Sequence, residues 1–97
     1  MKIPEKVKVG PFDYKVILEE KPFVDGNNAL DGIYIYDKNI IKVAKSGSQD
    51  YQNQVFLHKL MHAIIAVYAD NSQNEHLVEQ ISKGLYQVIK DHPDIFK

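Results

Sequence analysis

The hydrophobic pattern of this chain changes period once, across Lys45-Ser46-Gly47-Ser48-Gln49-Asp50, and no other feature constrains the fold as much. Upstream of it, apolar and polar residues mostly alternate. Val7 and Val9 alternate with Lys6 and Lys8, and Phe12, Tyr14, Val16 and Leu18 with Asp13, Lys15, Ile17 and Glu19. A period of two is that of half-buried strands, and Gly10-Pro11 between the two runs predicts a hairpin. Ile33-Tyr34-Ile35-Tyr36 and Ile40-Ile41-Lys42-Val43, separated by Asp37-Lys38-Asn39, predict a second. Between the hairpins, residues 20–31 carry Lys21-Pro22, Asp25-Gly26-Asn27-Asn28 and Asp31, followed by Gly32, and read as a connector of turn formers.

Downstream the pattern is helical. From about Tyr51 to Ala69, apolar residues cover most of the helix circumference, which predicts a largely buried helix with Ser48 or Asp50 as its N-cap. Asp70-Asn71-Ser72 ends it. A second helix runs from about Asn74 to Lys90, with Asn74 as cap and His92-Pro93 as stop. Its apolar stripe is Leu77, Val78, Ile81, Leu85, Val88 and Ile89. Gly84 interrupts this helix at a cost of ~1 kcal/mol against alanine, so it predicts close packing against a neighbour. Strands followed by helices make the chain α+β. The expected fold is a small N-terminal antiparallel sheet of about four strands, a meander, followed by two packed helices, in one domain over residues 1–97.

Composition narrows the function. A net charge of −1 offers no basic surface for a nucleic-acid backbone, so no nucleic-acid partner is expected. Cysteine is absent, which excludes disulfides and thiolate metal sites. Met1 to Val7 has no apolar segment of the signal-peptide type, and no run approaches the ~18 apolar residues of a membrane span. The cytoplasm is the expected compartment.

The chemistry-bearing motif lies in the first helix: Val55-Phe56-Leu57-His58-Lys59-Leu60-Met61-His62-Ala63-Ile64-Ile65. Histidines four residues apart share one helix face and can reach a single metal ion. In the HExxH signature of zinc proteases, a glutamate after the first histidine serves as general base toward water. Here that position is Lys59. A lysine ammonium has no lone pair to offer, and loss of a general base costs typically ~10²–10⁴-fold in rate. The second helix offers candidates for a third ligand. Glu79 stands on a strip with Glu75 and Tyr86, within about 40° on the helical wheel, and His76 lies about 60° away as runner-up. Tyr86 could donate a hydrogen bond into a pocket. By spacing alone, the histidines equally suit a structural role, and Glu79 a solvated pair with Lys83.

Phe56-Leu57-His58-x-Leu60-Met61-His62-Ala63-Ile64 and the later Glu75-x-x-Val78-Glu79-x-x-x-x-Gly84-Leu85-Tyr86-Gln87-Val88-Ile89-Lys90-Asp91-x-Pro93 together resemble small phage and prophage zincin-like proteins. Those typically read LHELLHAI followed by E-x-x-V-E-x-L-x-x-G-L-Y-Q-V-L-x-D-N-P. The match covers the C-terminal half, while the strands agree only in character. The resemblance implies a minimal metallopeptidase-like fold with zinc as cofactor, His58 and His62 as ligands, and Glu79 as the third. The departure is Lys59 in place of the catalytic glutamate. Three readings stay open on this basis: a degenerate metallopeptidase impaired as a hydrolase, a non-catalytic binder of a peptide or host protein on the same scaffold, and an active-site variant of a genuine zinc metallopeptidase.

Overall fold

Ser48 and Asn74 begin the two helices as their side chains dictate. In the computed structural model, which describes residues 1–21, 23–25 and 28–96, the Ser48 hydroxyl accepts from the Tyr51 N–H and the Asn74 carboxamide from the Leu77 N–H. The first helix, α1, runs Gln49–Tyr68 and the second, α2, Glu75–Asp91. Among the described residues six strands precede them: β1 (Lys6–Val9), β2 (Phe12–Glu19), β3 (Phe23–Asp25), β4 (Asn28–Leu30), β5 (Gly32–Ile35) and β6 (Ile40–Ala44). Both expected hairpins form, β1 with β2 and β5 with β6, each antiparallel. The connector between them holds the small β3–β4 hairpin, and its turn formers Pro22, Gly26 and Asn27 lie outside the described residues.

The two larger hairpins join into one four-stranded sheet in the order β1-β2-β6-β5. Its central seam is parallel, with Lys15 opposite Ile40 and Glu19 opposite Ala44. The α+β plan is as expected, but the sheet is mixed and is no meander. After the β3–β4 excursion the chain returns as the outer strand β5, and β6 then turns back into the middle alongside β2.

Alternation sorts the sheet into two faces. Val9, Tyr14, Val16, Ile41 and Val43 are buried, with Phe56 and Ala63 of α1 packed among them. Helix α1 contacts β1, β5 and β6 on one side and α2 on the other. That middle position explains why its apolar residues run round most of the circumference. Helix α2 presents Val78, Ser82 and Tyr86 as its buried residues. Leu77 and Ile81 of the expected stripe stay 52% and 44% exposed. The helix is rotated so that its polar strip meets polar partners on α1. Turning Leu77 and Ile81 inward would pull Glu75, Glu79 and Tyr86 away from them. A Cβ built at Gly84 meets nothing within 4 Å, so the close packing expected there is not made. Among the described residues, no helix is long and apolar enough to cross a membrane.

Candidate metal centre

The turn between the helices sets which residues meet. Asp70 and Asn71 both adopt left-handed backbone (φ 51° and 55°), a conformation these two residue types tolerate better than most. The Asn71 N–H reaches back to the Ile65 carbonyl at 3.1 Å. So tight a reversal brings the start of α2 against the last turns of α1. Gln73 and Glu75 fall beside His62, Glu79 falls beside His58, and Tyr86 and Lys90 fall beside Asp50.

His58 and His62 present their Nε2 atoms to one carboxylate. His58 Nε2 lies 2.5 Å from Glu75 Oε1 and His62 Nε2 lies 2.8 Å from Glu75 Oε2. The other ring nitrogens are tied elsewhere. His58 Nδ1 is 2.6 Å from Glu79 Oε2, and His62 Nδ1 is 2.7 Å from Gln73 Oε1. The orientation of Gln73 follows from its own contacts. Its Nε2 donates to the His62 carbonyl at 3.1 Å and to Asn71 Oδ1 at 2.8 Å, so its Oε1 must be an acceptor. His62 Nδ1 therefore carries the proton. His58 meets a carboxylate at each ring nitrogen, Glu79 at Nδ1 and Glu75 at Nε2. Neutral rings protonated at Nδ1 would turn two Nε2 lone pairs toward Glu75, whereas imidazolium rings would pair with it as cations. His58 Nε2 is buried, with Glu75 as its close polar neighbour. One ligand atom from each of His58, His62 and Glu75 lies within 4.8 Å of the others, which suits a single ion at the ~2.0–2.2 Å bonds of zinc to nitrogen and oxygen.

The surroundings support such a site. The histidine side chains are 12% exposed, whereas Glu75 is 69% exposed and opens the cluster to solvent. Burial pushes the Glu75 carboxyl up, but His58, His62 and Lys59 outweigh it and hold the group below the usual range. Glu79 is also held low, first by its hydrogen bond from Lys83. The His62 ring stacks on Tyr34, with ring centroids 6.4 Å apart and planes 13° off parallel.

Of the ligands expected from the sequence, His58 and His62 come together as foreseen. Glu79 joins them from the outer side, holding His58 by the nitrogen that faces away from the cluster, while Glu75 occupies the convergent position. His76 is exposed and stands apart. Lys59 makes no ion pair or hydrogen bond among the described residues and lines the same cleft as His58. Tyr86 lies toward the other end of the helix pair, donating to Asp50 Oδ1 at 2.6 Å and accepting from Asn53 at 3.1 Å. Gln73 was not visible as a site residue in the sequence. The only signal for it was its place in a short turn just after the histidine helix. Comparison with known protein families, with curated proteins and with solved structures gives no match in any of the three.

Proposed function

We propose that this chain is a zincin-like protein that holds one divalent ion of the zinc class through His58, His62 and Glu75, and that Lys59 leaves it without efficient peptide hydrolysis. The observation that carries the reading is the convergence of one ligand atom from each of His58, His62 and Glu75 within 4.8 Å of one another. Gln73 holds Nδ1 of His62 and Glu79 holds Nδ1 of His58, so the Nε2 atoms are the ones that face Glu75. Two histidines and a glutamate are a ligand set of the catalytic zinc type. Glu79 and Gln73 then serve as the partners that fix ring orientation, a role outer carboxylates and amides commonly fill.

When bound, such an ion polarises a carbonyl oxygen as a Lewis acid. The chain's own residues do not supply the other half of a hydrolytic reaction. Lys59 occupies the place of the general base and, as an ammonium, takes no proton from water. The remaining acceptors near His58 are engaged: Glu79 with His58 and Lys83, and Asp31 with the hydroxyls of Ser46 and Tyr51. The expected deficit relative to a glutamate at this position is ~10²–10⁴-fold in rate.

The test is the zinc content of protein purified without an affinity tag. About one zinc per chain, lost in His62→Ala, is the outcome this reading requires. Lys59→Glu should then gain peptide hydrolysis that a chelator abolishes. Protein that takes up no metal, and whose fold is indifferent to chelation, would show the histidine cluster to be purely structural.

A further inference from the structure

Where the last turn of α1 meets the start of β2 lies a cavity of about 230 Å³, walled by three elements. Phe12 and Tyr14 stand two residues apart on β2. Tyr36 and Asp37 begin a short 3-10 turn after β5, which Asn39 caps, and Ala66 and Val67 belong to the end of α1. The turn is tied to the sheet. Asn39 takes left-handed backbone (φ 54°), and its carbonyl accepts from the Lys15 N–H at 3.0 Å. Tyr34 packs on two of the tyrosines, its ring centroid 6.1 Å from that of Tyr14 and 6.4 Å from that of Tyr36.

Three features of these walls favour positive charge. The rings of Phe12, Tyr14 and Tyr36 carry electron-rich faces that attract cations. Asp37 brings a carboxylate that makes no hydrogen bond or ion pair with the described residues. The C-terminal end of α1 carries roughly half a negative elementary charge, and its last turn holds no basic residue. Yet no Lys, Arg or His of the described residues lines the cavity.

We propose that this cavity is a binding site for a methylated ammonium ion, either a small free quaternary amine or the head of a methylated lysine side chain. Three rings with Ala66 and Val67 suit methyl groups, whereas the three N–H donors of a primary ammonium call for as many acceptors. A bare cation such as calcium fits less well, since it takes ~6–8 oxygen ligands and Asp37 is the one carboxylate residue on the wall. None of His58, His62 and Glu75 lines this cavity, so binding here does not depend on a metal at the histidine cluster.

The experiment titrates the full, isotope-labelled chain and follows its amide resonances. The probes are choline, its uncharged carbon isostere 3,3-dimethylbutan-1-ol, and a tripeptide with trimethyllysine at its centre. The expected result is saturable shifts at Phe12, Tyr14, Asp37 and Val67 with choline or the peptide, and at least about tenfold weaker binding of the alcohol. Tighter binding of the peptide than of choline identifies a lysine side chain as the source, and equal or weaker binding a small amine. Asp37→Asn and Tyr36→Leu should each weaken binding about tenfold or more. Both residues are exposed, Tyr36 by 59%, so the fold should survive, as circular dichroism would show. Tyr36→Trp should retain binding. No saturable shift with either cation, equal affinity for choline and the alcohol, or unchanged affinity in Asp37→Asn and Tyr36→Leu, overturns the proposal.

Discussion

Two polar clusters lie on the same seam between α1 and α2, and they differ in how their donors and acceptors are matched. In the cluster nearer the start of α1, Tyr86 donates to Asp50, Asn53 donates to Tyr86, Gln49 donates to Asn53, and Lys90 pairs with the second Asp50 oxygen at 2.9 Å. Each donor has an acceptor and nothing further is required. In the cluster at the other end, two imidazole nitrogens and a carboxylate point at one another. The first arrangement holds two helices together by itself. The second is satisfied either by protons on the imidazoles or, on the reading proposed above, by one divalent ion. The difference teaches that burial and short distances do not by themselves separate a structural polar network from a ligand site, and that the donors and acceptors must be counted as well.

The comparison breaks most sharply at the ligands themselves. His62→Ala and Glu75→Ala should each lose stoichiometric zinc by elemental analysis while keeping their circular dichroism, since neither belongs to the hydrophobic core. Substitutions at the orienting positions should be milder. Glu79→Ala and Gln73→Ala are expected to weaken zinc about 10–100-fold in a competition assay with a chromophoric chelator. If Glu79→Ala instead abolished binding while Glu75→Ala kept it, the roles of the two glutamates would be exchanged.

At the closed cluster the effect should be on stability and not on metal. Tyr86→Phe leaves buried Asn53 with only its longer hydrogen bond to the Met1 carbonyl, removes the donor to Asp50, and should cost about 1–3 kcal/mol in urea unfolding, with zinc affinity unchanged. Its pH dependence has a definite sign. Hydrogen bonding from Tyr86, then from Lys90, holds the Asp50 carboxyl below the usual range. A lowered carboxylate stabilises the fold above its unfolded value, ~3.9, and that contribution disappears as pH falls through the lowered one. Lys90, raised chiefly by its hydrogen bond to Asp50, contributes fully below the ordinary lysine range and loses its share as pH rises through the raised value. The wild-type advantage over Tyr86→Phe should therefore be flat through neutral pH and shrink in acid. The smallest effect is expected at Gly84, where open space surrounds the missing Cβ. Gly84→Ala should stabilise the protein by about 0.5–1 kcal/mol, read as a higher midpoint with an unchanged slope in urea.

How far the sequence reached can be judged from particular elements. Both hairpins, both helices and the caps Ser48 and Asn74 were legible because each is written in local chemistry: alternation, turn residues, a hydroxyl or carboxamide before an apolar run. The parallel seam was not. Periodicity says which residues of β2 and β6 face inward, but not which strand lies beside which. The pairing of Lys15 with Ile40 depends on the path taken through β3, β4 and β5. The histidine pair was legible for the same reason the helix was. The choice between Glu75 and Glu79 was not, because they stand one turn apart on one face. Two left-handed residues, Asp70 and Asn71, decide it by fixing how α2 enters. The buried face of α2 was misjudged from apolarity alone, since Ser82 and Tyr86 are inside while Leu77 and Ile81 are largely outside.

The layering of α1 between the sheet and α2 has a consequence for how the molecule comes apart. Two of the three converging side chains sit on a helix anchored to the sheet, and the third sits in the first turn of a helix that docks on α1. An opening of α2 that left the sheet and α1 folded would part Glu75 from the histidines. An ion bridging His58, His62 and Glu75 would act as a clasp on that opening, contributing RT ln(1 + [L]/Kd) to keeping the last element closed. Hydrogen exchange should show the clasp directly: amides of α2 slow when zinc is added, and those of β2 and β6 keep their rates.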